Sequence, residues 1–271
     1  MLLHTREKTL RKFRFALVPA CLASLSAVLV SFASLLPAFG NAPPVRIAVV
    51  PAGGSGIEQE AVDRISSQLQ DMKDVVISTV NPDWYVVCNI QENTNQMSGQ
   101  IRYNGTVTVK TTDGQVVSNI AVQKYNQDFS LSPGAPLNKK LVDGAARDVI
   151  GGMSERAIIP LQQAVQTEMD TREHVINAGQ DADGDKYDEA IGLLAQVTPD
   201  STHFKQVRGM IMQFQIEKHC LELCNSAQSK AKQGRYAEAI SLMRQVDKHS
   251  KRYKFAQGKI GAYRQAISHP H

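Results

Sequence analysis

Hydrophobic and polar residues alternate in two different ways along the chain, and the first way covers residues 45–125. Runs rich in Val, Ile and Thr predict strands, and they lie at 45–51, 74–80, 83–90, 101–110 and 115–125. The turn Thr112-Asp113-Gly114 joins the last two runs and predicts a hairpin. Between the first two runs, Ile57, Val62, Ile65 and Leu69 recur near helical spacing, which predicts a helix over 57–69.

A helical pattern takes over after residue 137. Leu137 to Met169 is amphipathic and predicts a long helix, with a bend or break at Gly151-Gly152 and Pro160. The order strand, helix, several strands, helix indicates an α/β layer whose mostly antiparallel sheet is backed by helices. We therefore predict an α+β chain with three parts, which are an apolar N-terminal segment (1–40), an α/β domain (41–174) and an all-α region (175–271).

The last hundred residues contain one helical pattern twice. KYDEAIGLLAQV at 186–197 returns as RYAEAISLMRQV at 235–246, 49 residues later. In each copy a Tyr, a small Ala and larger aliphatic residues share one helix face, where a second helix can pack closely. The spacing predicts four antiparallel helices, in which each pair needs a neighbour to bury its apolar face. The residues assigned to packing or interaction are Tyr187, Ala190, Leu194, Tyr236, Ala239 and Met243.

Two family resemblances accompany these patterns. GRYAEAI at 234–240 resembles the G-x-Y-x-E-A pattern of tetratricopeptide repeats, although that family repeats every 34 residues. IAVVPA at 47–52 and LVDGAARDVIGGMSERAI at 141–158 resemble the first strand and last helix of a periplasmic family. That family includes the curli-secretion subunit CsgG, the activator LpoB and the amino-terminal domain of TolB. Both resemblances imply binding and assembly roles.

The first 40 residues have the order of a targeting signal. Basic residues between Arg6 and Arg14 precede an apolar run from Phe15 to Phe39, and Ala38-Phe39-Gly40 has small residues at a signal-peptidase site. We expect cleavage before Asn41 and export to the periplasm or cell envelope. A retained membrane anchor and an apolar segment buried in the fold are the alternatives.

Charge changes the picture only when it is divided along the chain. The chain carries a net charge of +4, and the first 40 residues account for all of it. A local excess lies in KHSKRYKF at 248–255, where we expect a basic interaction patch of Lys248, Lys251, Arg252 and Lys254. Anionic lipid head groups or an acidic partner fit this patch, as does a plain solvated face. Export argues against nucleic acid.

Candidate chemistry is sparse. Cys220 and Cys224 lie one helical turn apart, which fits apolar packing, a redox pair or part of a metal site. The odd-spaced aspartates in 181–185 resemble a calcium loop, but Lys186 and Gly192 replace its Gly and Glu. GGSG at 53–56 lacks the lysine of a phosphate-binding loop. No cofactor or metal is predicted.

These observations favour a protein that is not an enzyme, because residues 41–173 contain no histidine for acid–base catalysis. We expect a cell-envelope adaptor or assembly factor that binds other envelope proteins or peptide segments through its helical repeats and α/β domain. Membrane association fits the same features. The alternative is a structural subunit that self-associates into a homo-oligomer within a larger secretion, envelope or phage-type assembly.

Overall fold

The structure is a computed structural model that describes residues 42–95, 100–126 and 138–269. The predicted targeting segment at 1–40 and the loop SPGAP at 132–136 lie outside the described residues. The first part consists of five strands and one helix, in the order β1 Val45–Pro51, α1 Gly56–Gln70, β2 Val75–Ile77, β3 Trp84–Asn95, β4 Gln100–Thr111 and β5 Val116–Asn126. The helices that follow are α2 Lys139–Asp183, α3 Tyr187–Leu194, α4 Phe204–Lys232, α5 Tyr236–Met243 and α6 Tyr253–Ser268.

The five strands form one mixed sheet in the order β2-β1-β3-β4-β5. Strand β1 is parallel to both of its neighbours, whereas β3, β4 and β5 form an antiparallel meander. The predicted mostly antiparallel sheet is therefore wrong. The reason is the helix between β1 and β2, because a parallel pair requires a crossover connection and α1 supplies it.

The GGSG loop between β1 and α1 is held by a buried side chain of the helix itself. Ser55 caps the helix in a reciprocal capping box with Glu58. The Glu58 carboxylate also accepts hydrogen bonds from the amides of Gly53 (2.9 Å) and Ile90 (3.1 Å). Burial opposes ionisation of Glu58, but these amides outweigh it and lower the pKa. The loop is thus tied to the core by its own helix.

Helices α1 and α2 cover one face of the sheet and enclose the main core. The approach is closest at Gly105 in β4, where an added Cβ would lie 2.2 Å from the sulfur of Met153. The other face carries Tyr85, Val87 and Thr108, which are half-buried. One face of this sheet is therefore packed and the other is accessible to solvent among the described residues.

Helix α2 continues for 45 residues without the predicted break, although Pro160 lies inside it. A proline inside a helix costs about 3 kcal/mol. Burial of each large apolar side chain returns about 1.5–3 kcal/mol, and Val149, Met153 and Leu161 are all fully buried on the sheet. Packing therefore outweighs the local breaker. At 1.5 Å per residue the helix is about 67 Å long, and the predicted boundary at 174/175 falls within it.

Helices α3 to α6 lie where the repeated pattern predicts helices, and each copy of the pattern has a separate apolar cluster. The end of α2 supplies Ala178 and Ala182 to the first cluster, while Cys224 and Ala227 of α4 supply the second. Helix α4 serves both clusters in turn, which accounts for the long offset of 49 residues. The tetratricopeptide assignment itself stays a prediction.

Candidate functional site

A polar cleft of about 690 Å³ lies where the sheet, α2 and the connection before α4 meet. It is lined by residues of strands β1, β3 and β4, by α2 and by residues 202–203. The side chains that line it include Arg46, Asp83, Trp84, Tyr85, Asp113, Glu168, Arg172, Thr202 and His203. None of the site residues predicted from the sequence lines this cleft.

Arg172 on α2 connects three separate parts of the chain at the cleft. Its guanidinium donates to Asp83 before β3 (3.0 Å), to the Pro43 carbonyl before β1 (3.0 Å) and to Glu168 one helical turn earlier (2.8 Å). Asp83 also accepts from the amide and the side chain of Arg46. Burial alone would raise the pKa of Asp83, but the Arg46 amide and the Arg172 guanidinium lower it. This arginine thus attaches the helix to the sheet.

Glu168 lies at the bottom of the same network and is 4 % exposed. Besides Arg172 it is bound by the imidazole of His203 (Nε2 to Oε1, 2.7 Å) and by the hydroxyl of Thr202 (3.1 Å). Burial raises the pKa of Glu168, but His203 and Arg172 outweigh it and bring the pKa to about 2. The carboxylate therefore stays ionised and fully engaged.

His203 is the partner of Glu168 from the connection between α3 and α4. The hydrogen bond to Glu168 raises the pKa of His203, against the opposing effects of burial and of Arg172. Within the cleft, the carboxylates of Asp83 and Glu168 thus each have a basic side chain as neighbour. The arrangement fits a clamp between the α/β part and the helical part better than it fits a site that moves protons, because a carboxylate with so low a pKa is a poor base.

The second copy of the pattern contains the same buried carboxylate. Glu217 lies 49 residues after Glu168 and is 6 % exposed. It accepts from the hydroxyl of Ser250 (2.7 Å) and from the amide of Lys251 (3.0 Å), which belong to the connection between α5 and α6. The repeat therefore begins further upstream than the tyrosines. We define copy 1 as residues 168–216 and copy 2 as residues 217–265.

The six predicted packing residues lie in the two apolar clusters or at their edges. Tyr187 is 3 % exposed and its ring centroid lies 6.3 Å from that of Phe214. Tyr236 is half-buried, and its centroid lies 5.9 Å from that of Tyr263, the equivalent partner. Ala190, Leu194, Ala239 and Met243 are fully buried. A role of these residues in binding a partner stays a prediction.

The predicted basic patch is divided by an ion pair between the copies. Lys251 and Arg252 of copy 2 bind Asp185, which lies in the connection between α2 and α3 of copy 1, at 3.1 and 2.6 Å. The ammonium of Lys251 also lies 5.3 Å from the centroid of the Tyr187 ring. Lys248 and Lys254 are exposed. Two of the four predicted basic residues thus join the copies, and the other two face solvent.

The remaining candidate chemistry is placed in the core or on the surface. Cys88, Cys220 and Cys224 are buried free thiols, and burial raises the pKa of Cys88 to about 12. Among the described residues, no group of three or more His, Cys, Asp and Glu side chains has the arrangement of a metal site. The same part of the chain holds no helix that is both long and apolar enough to cross a bilayer.

Comparisons with known proteins give limited likenesses. No family model and no curated protein matches the chain. A PelC dodecamer from Paraburkholderia phytofirmans is 14 % identical, with 46 % of this chain and 92 % of that chain covered and a TM-score of 0.28. A DUF330 protein from Xanthomonas campestris is 12 % identical (48 % and 95 % covered, TM-score 0.30). A minor lipoprotein from Acinetobacter baumannii is 15 % identical (46 % and 95 % covered, TM-score 0.29). Likenesses of this size carry no inference about the function of the chain.

Proposed function

We propose that the protein is a non-enzymatic cell-envelope adaptor that holds two protein-binding surfaces at a fixed separation. One surface is the accessible face of the sheet, and the other is the outer surface of the helical copies. The observation that carries the proposal is helix α2, which packs on the sheet with its first part and contributes Ala178 and Ala182 at its end to the apolar cluster of copy 1. An adaptor needs such a rigid connection, because a flexible link would not fix the geometry of its two partners.

The clamp at Arg172 strengthens this connection. It joins α2 to the segments before β1 and β3, and through Glu168 to the connection before α4. Arg172 and Glu168 are both largely buried, so their contacts are shielded from water and from salt screening. The clamp therefore supports a single body from the sheet to copy 1.

The absence of enzymatic activity is part of the proposal, and the cleft supports it. Glu168, with a pKa of about 2, cannot take up a proton near neutral pH. The hydrogen bond to the same carboxylate raises the pKa of its partner His203. Residues 1–40 support the proposed location, since their basic, apolar and small-residue order is typical of an export signal. Amino-terminal sequencing of the envelope fraction is expected to begin at Asn41.

The experiment is site-specific photo-crosslinking in intact cells, followed by affinity capture and identification of the crosslinked proteins. One crosslinker replaces Asn119 on the accessible sheet face, and another replaces Arg208 on copy 1. A control crosslinker replaces Asp63, which is exposed on α1. If the protein is an adaptor, the crosslinker at Asn119 captures one protein and the crosslinker at Arg208 captures a different one. The control crosslinker at Asp63 captures little of either. Failure to capture any protein from either surface would contradict the proposal.

A second candidate function is a structural subunit that self-associates. Strand β5 lies at the edge of the sheet, and one sheet face remains accessible among the described residues, which are features that a second copy can cover. In the same experiment, this alternative gives the chain itself as the crosslinked product at Asn119. The two candidates are therefore distinguished by one result.

A further inference from the structure

The two copies have opposite net charge although they contain equivalent helices. Copy 1 has four basic and nine acidic residues, whereas copy 2 has eleven basic and four acidic residues. A repeat that served only as a scaffold would have no need for this difference. The charge of copy 2 thus requires an explanation outside the packing of the helices.

Only part of this positive charge is neutralised within the chain. Lys251 and Arg252 bind Asp185, Lys218 binds Asp188, and Lys230 and Arg235 bind Glu238. Six other basic side chains of copy 2 have no carboxylate within 4 Å among the described residues, and these are Lys232, Arg244, Lys248, Lys254, Lys259 and Arg264.

Three of these six side chains come from one short stretch of the chain. Arg244 and Lys248 lie in the connection between α5 and α6, and Lys254 lies in the first turn of α6. Beside them Phe255 is 42 % exposed, and the ammonium of Lys259 lies 5.5 Å from the centroid of its ring. We call Arg244, Lys248, Lys254, Phe255 and Lys259 the basic surface.

Copy 1 provides an internal comparison for the basic surface. Ala195, Pro199 and Gln206 occupy the positions equivalent to Arg244, Lys248 and Phe255. The connection in copy 1 has the same buried serine, Ser201, at the position of Ser250. Lys254 has an equivalent lysine, Lys205, in copy 1. The repeat fold therefore forms without the positive charges of Arg244 and Lys248 and without the exposed ring.

We propose that the basic surface docks on a bilayer that contains anionic phospholipid. Lipid phosphates attract each nearby Lys or Arg by about 1 kcal/mol, and an exposed aromatic ring among lysines fits the boundary between head groups and acyl chains. The proposal rests on the exported location proposed above. It adds a membrane surface as the partner of copy 2, separate from the protein partners of the adaptor.

A second copy of the chain is the alternative occupant of the basic surface, because copy 1 is acidic. Its carboxylates are already engaged in part, since Asp185 binds Lys251 and Arg252, and Asp188 binds Lys218 at 2.6 Å. Asp181 lies 3.9 Å from Lys186, and Glu168 is buried. Five other acidic side chains of copy 1 are exposed and have no Lys or Arg within 4 Å among the described residues, and these are Asp170, Glu173, Asp183, Glu189 and Asp200. The bilayer is the proposed partner because its surface accepts both the positive charges and the exposed ring of Phe255.

The test is co-sedimentation of residues 42–271, which form one compact unit, with lipid vesicles. Vesicles of phosphatidylcholine with phosphatidylglycerol are compared with vesicles of phosphatidylcholine alone, at low and high salt. We expect binding only to the first kind, and its loss at high salt. Circular dichroism checks that every variant remains folded.

The variants separate the basic surface from the general charge of the protein. Replacement of Arg244, Lys248 and Lys254 by Gln is expected to weaken binding on the order of 100-fold, from about 1 kcal/mol for each charge. Phe255→Gln, which introduces the residue of copy 1, is expected to weaken it about 10-fold. The control variant with Lys205→Gln and Arg208→Gln in copy 1 is expected to bind like the original protein.

Three results would overturn the proposal. These are equal binding to both kinds of vesicle, binding that survives the triple replacement, and no vesicle binding together with salt-sensitive dimerisation in analytical ultracentrifugation. The last result would assign the basic surface to a second copy. Because the crosslinking experiment reports protein partners, the adaptor function can fail or stand independently of the vesicle result.

Discussion

Copy 1 and copy 2 use the same packing but are attached to the rest of the molecule differently. Each has a buried glutamate that binds the connection before its last helix, and each has a pair of aromatic rings at equivalent positions. In copy 1, Arg172 lies one helical turn after this glutamate and binds Asp83 before strand β3. In copy 2 the equivalent residue is Leu221, which packs at the edge of an apolar cluster.

This difference indicates which positions of the repeat carry the fold and which carry a specific connection. Positions that stay the same in both copies satisfy polar groups of the connection. Glu168 accepts from the hydroxyl of Thr202, and Glu217 accepts from the hydroxyl of Ser250 and the amide of Lys251. Positions that differ carry specific contacts. His203 binds Glu168 in the cleft, whereas Arg252 at the equivalent position of copy 2 binds Asp185 of copy 1. The comparison leads to four predictions, from the largest effect to the smallest.

Removal of the first aromatic ring of each copy is expected to have unequal effects. Tyr187 is almost fully buried, so Tyr187→Ala should cost about 4 kcal/mol, within the range for buried aromatic side chains. Tyr236 is half-buried, and Tyr236→Ala should cost about 2 kcal/mol. Urea unfolding followed by circular dichroism measures both values. Tyr187→Phe keeps the ring and serves as the control, and equal costs for the two alanine variants would contradict the unequal burial.

The two buried glutamates are expected to differ next. Glu168→Ala removes the carboxylate of His203 and one of the two carboxylates of Arg172. It should cost about 3 kcal/mol, at the lower end for a broken buried pair, because Asp83 still binds Arg172 and His203 is 35 % exposed. Glu217→Ala leaves the Ser250 hydroxyl and the Lys251 amide unpaired and should cost about 2 kcal/mol. Urea unfolding of both variants gives the difference.

The isosteric controls are Glu168→Gln and Glu217→Gln, which keep the shape and remove the charge. We expect Glu168→Gln to cost more than Glu217→Gln, because only Glu168 faces two basic side chains. If the two glutamine variants were equally stable, Arg172 would not depend on Glu168 for its position. The proposed clamp would then be limited to its contacts with Asp83 and Pro43.

The repeated helices and most strands could be predicted from the sequence because their patterns are local. Tyr187 and Leu194 mark one apolar face by their spacing, and the turn around Gly114 marks the β4–β5 hairpin. The parallel pairing of β1 depends on strand order, which no local pattern specifies. In α2, the glycines and Pro160 predict a break. The burial of Met153 and Leu161 on the sheet keeps the helix continuous, and this tertiary contact cannot be read from the local sequence.

The cleft could not be predicted because its residues are far apart in the chain. Asp83 and Arg172 are separated by 89 residues, and a single sequence gives no sign that they meet. Glu168 had one detectable signal, which is the offset of 49 residues to Glu217 when the repeat is extended upstream. The more obvious similarity of the two copies starts at Lys186, which is 18 residues downstream of Glu168.

A pH dependence is expected to be specific to copy 1. The pKa of His203 is raised in the folded state, so its contribution to stability is present below its ordinary pKa of about 6.5 and is lost as pH rises through the raised value. The contribution of Glu168 is present above its ordinary pKa and is lost as pH falls towards about 2.

The measurement is the urea midpoint between pH 5 and pH 9 for the original protein and for His203→Gln. We expect the original protein to lose on the order of 1 kcal/mol or less over this range, as for other partly exposed ion pairs. His203→Gln should show a smaller change. In copy 2 the equivalent residue is Arg252, which stays charged over this range, so an Arg252→Gln variant should keep the pH dependence.

The smallest effect is expected where a backbone preference and an ion pair oppose each other. Asp185 has a φ of 63°, in the left-handed region, and the equivalent residue of copy 2 is Gly234 with a φ of 74°. Replacement of Asp185 by Gly removes a backbone cost of about 1 kcal/mol, but it also removes the ion pairs with Lys251 and Arg252. Those pairs are partly exposed and contribute about 0–1 kcal/mol each. The two effects should cancel to within about 0.5 kcal/mol at moderate salt.

Salt separates the two contributions at Asp185, because screening weakens ion pairs and leaves backbone preferences unchanged. Asp185→Gly should therefore be slightly less stable than the original protein at low salt and slightly more stable at high salt, as measured by urea unfolding. The reverse change, Gly234→Asp, gives copy 2 the same backbone cost. The structure describes no connection equivalent to residues 251–252 that would bind the new carboxylate, so the variant should lose about 1 kcal/mol of stability at both salt concentrations. A salt-independent Asp185→Gly variant would show that Lys251 and Arg252 do not hold the copies together. The left-handed aspartate would then have no compensating contact in the structure.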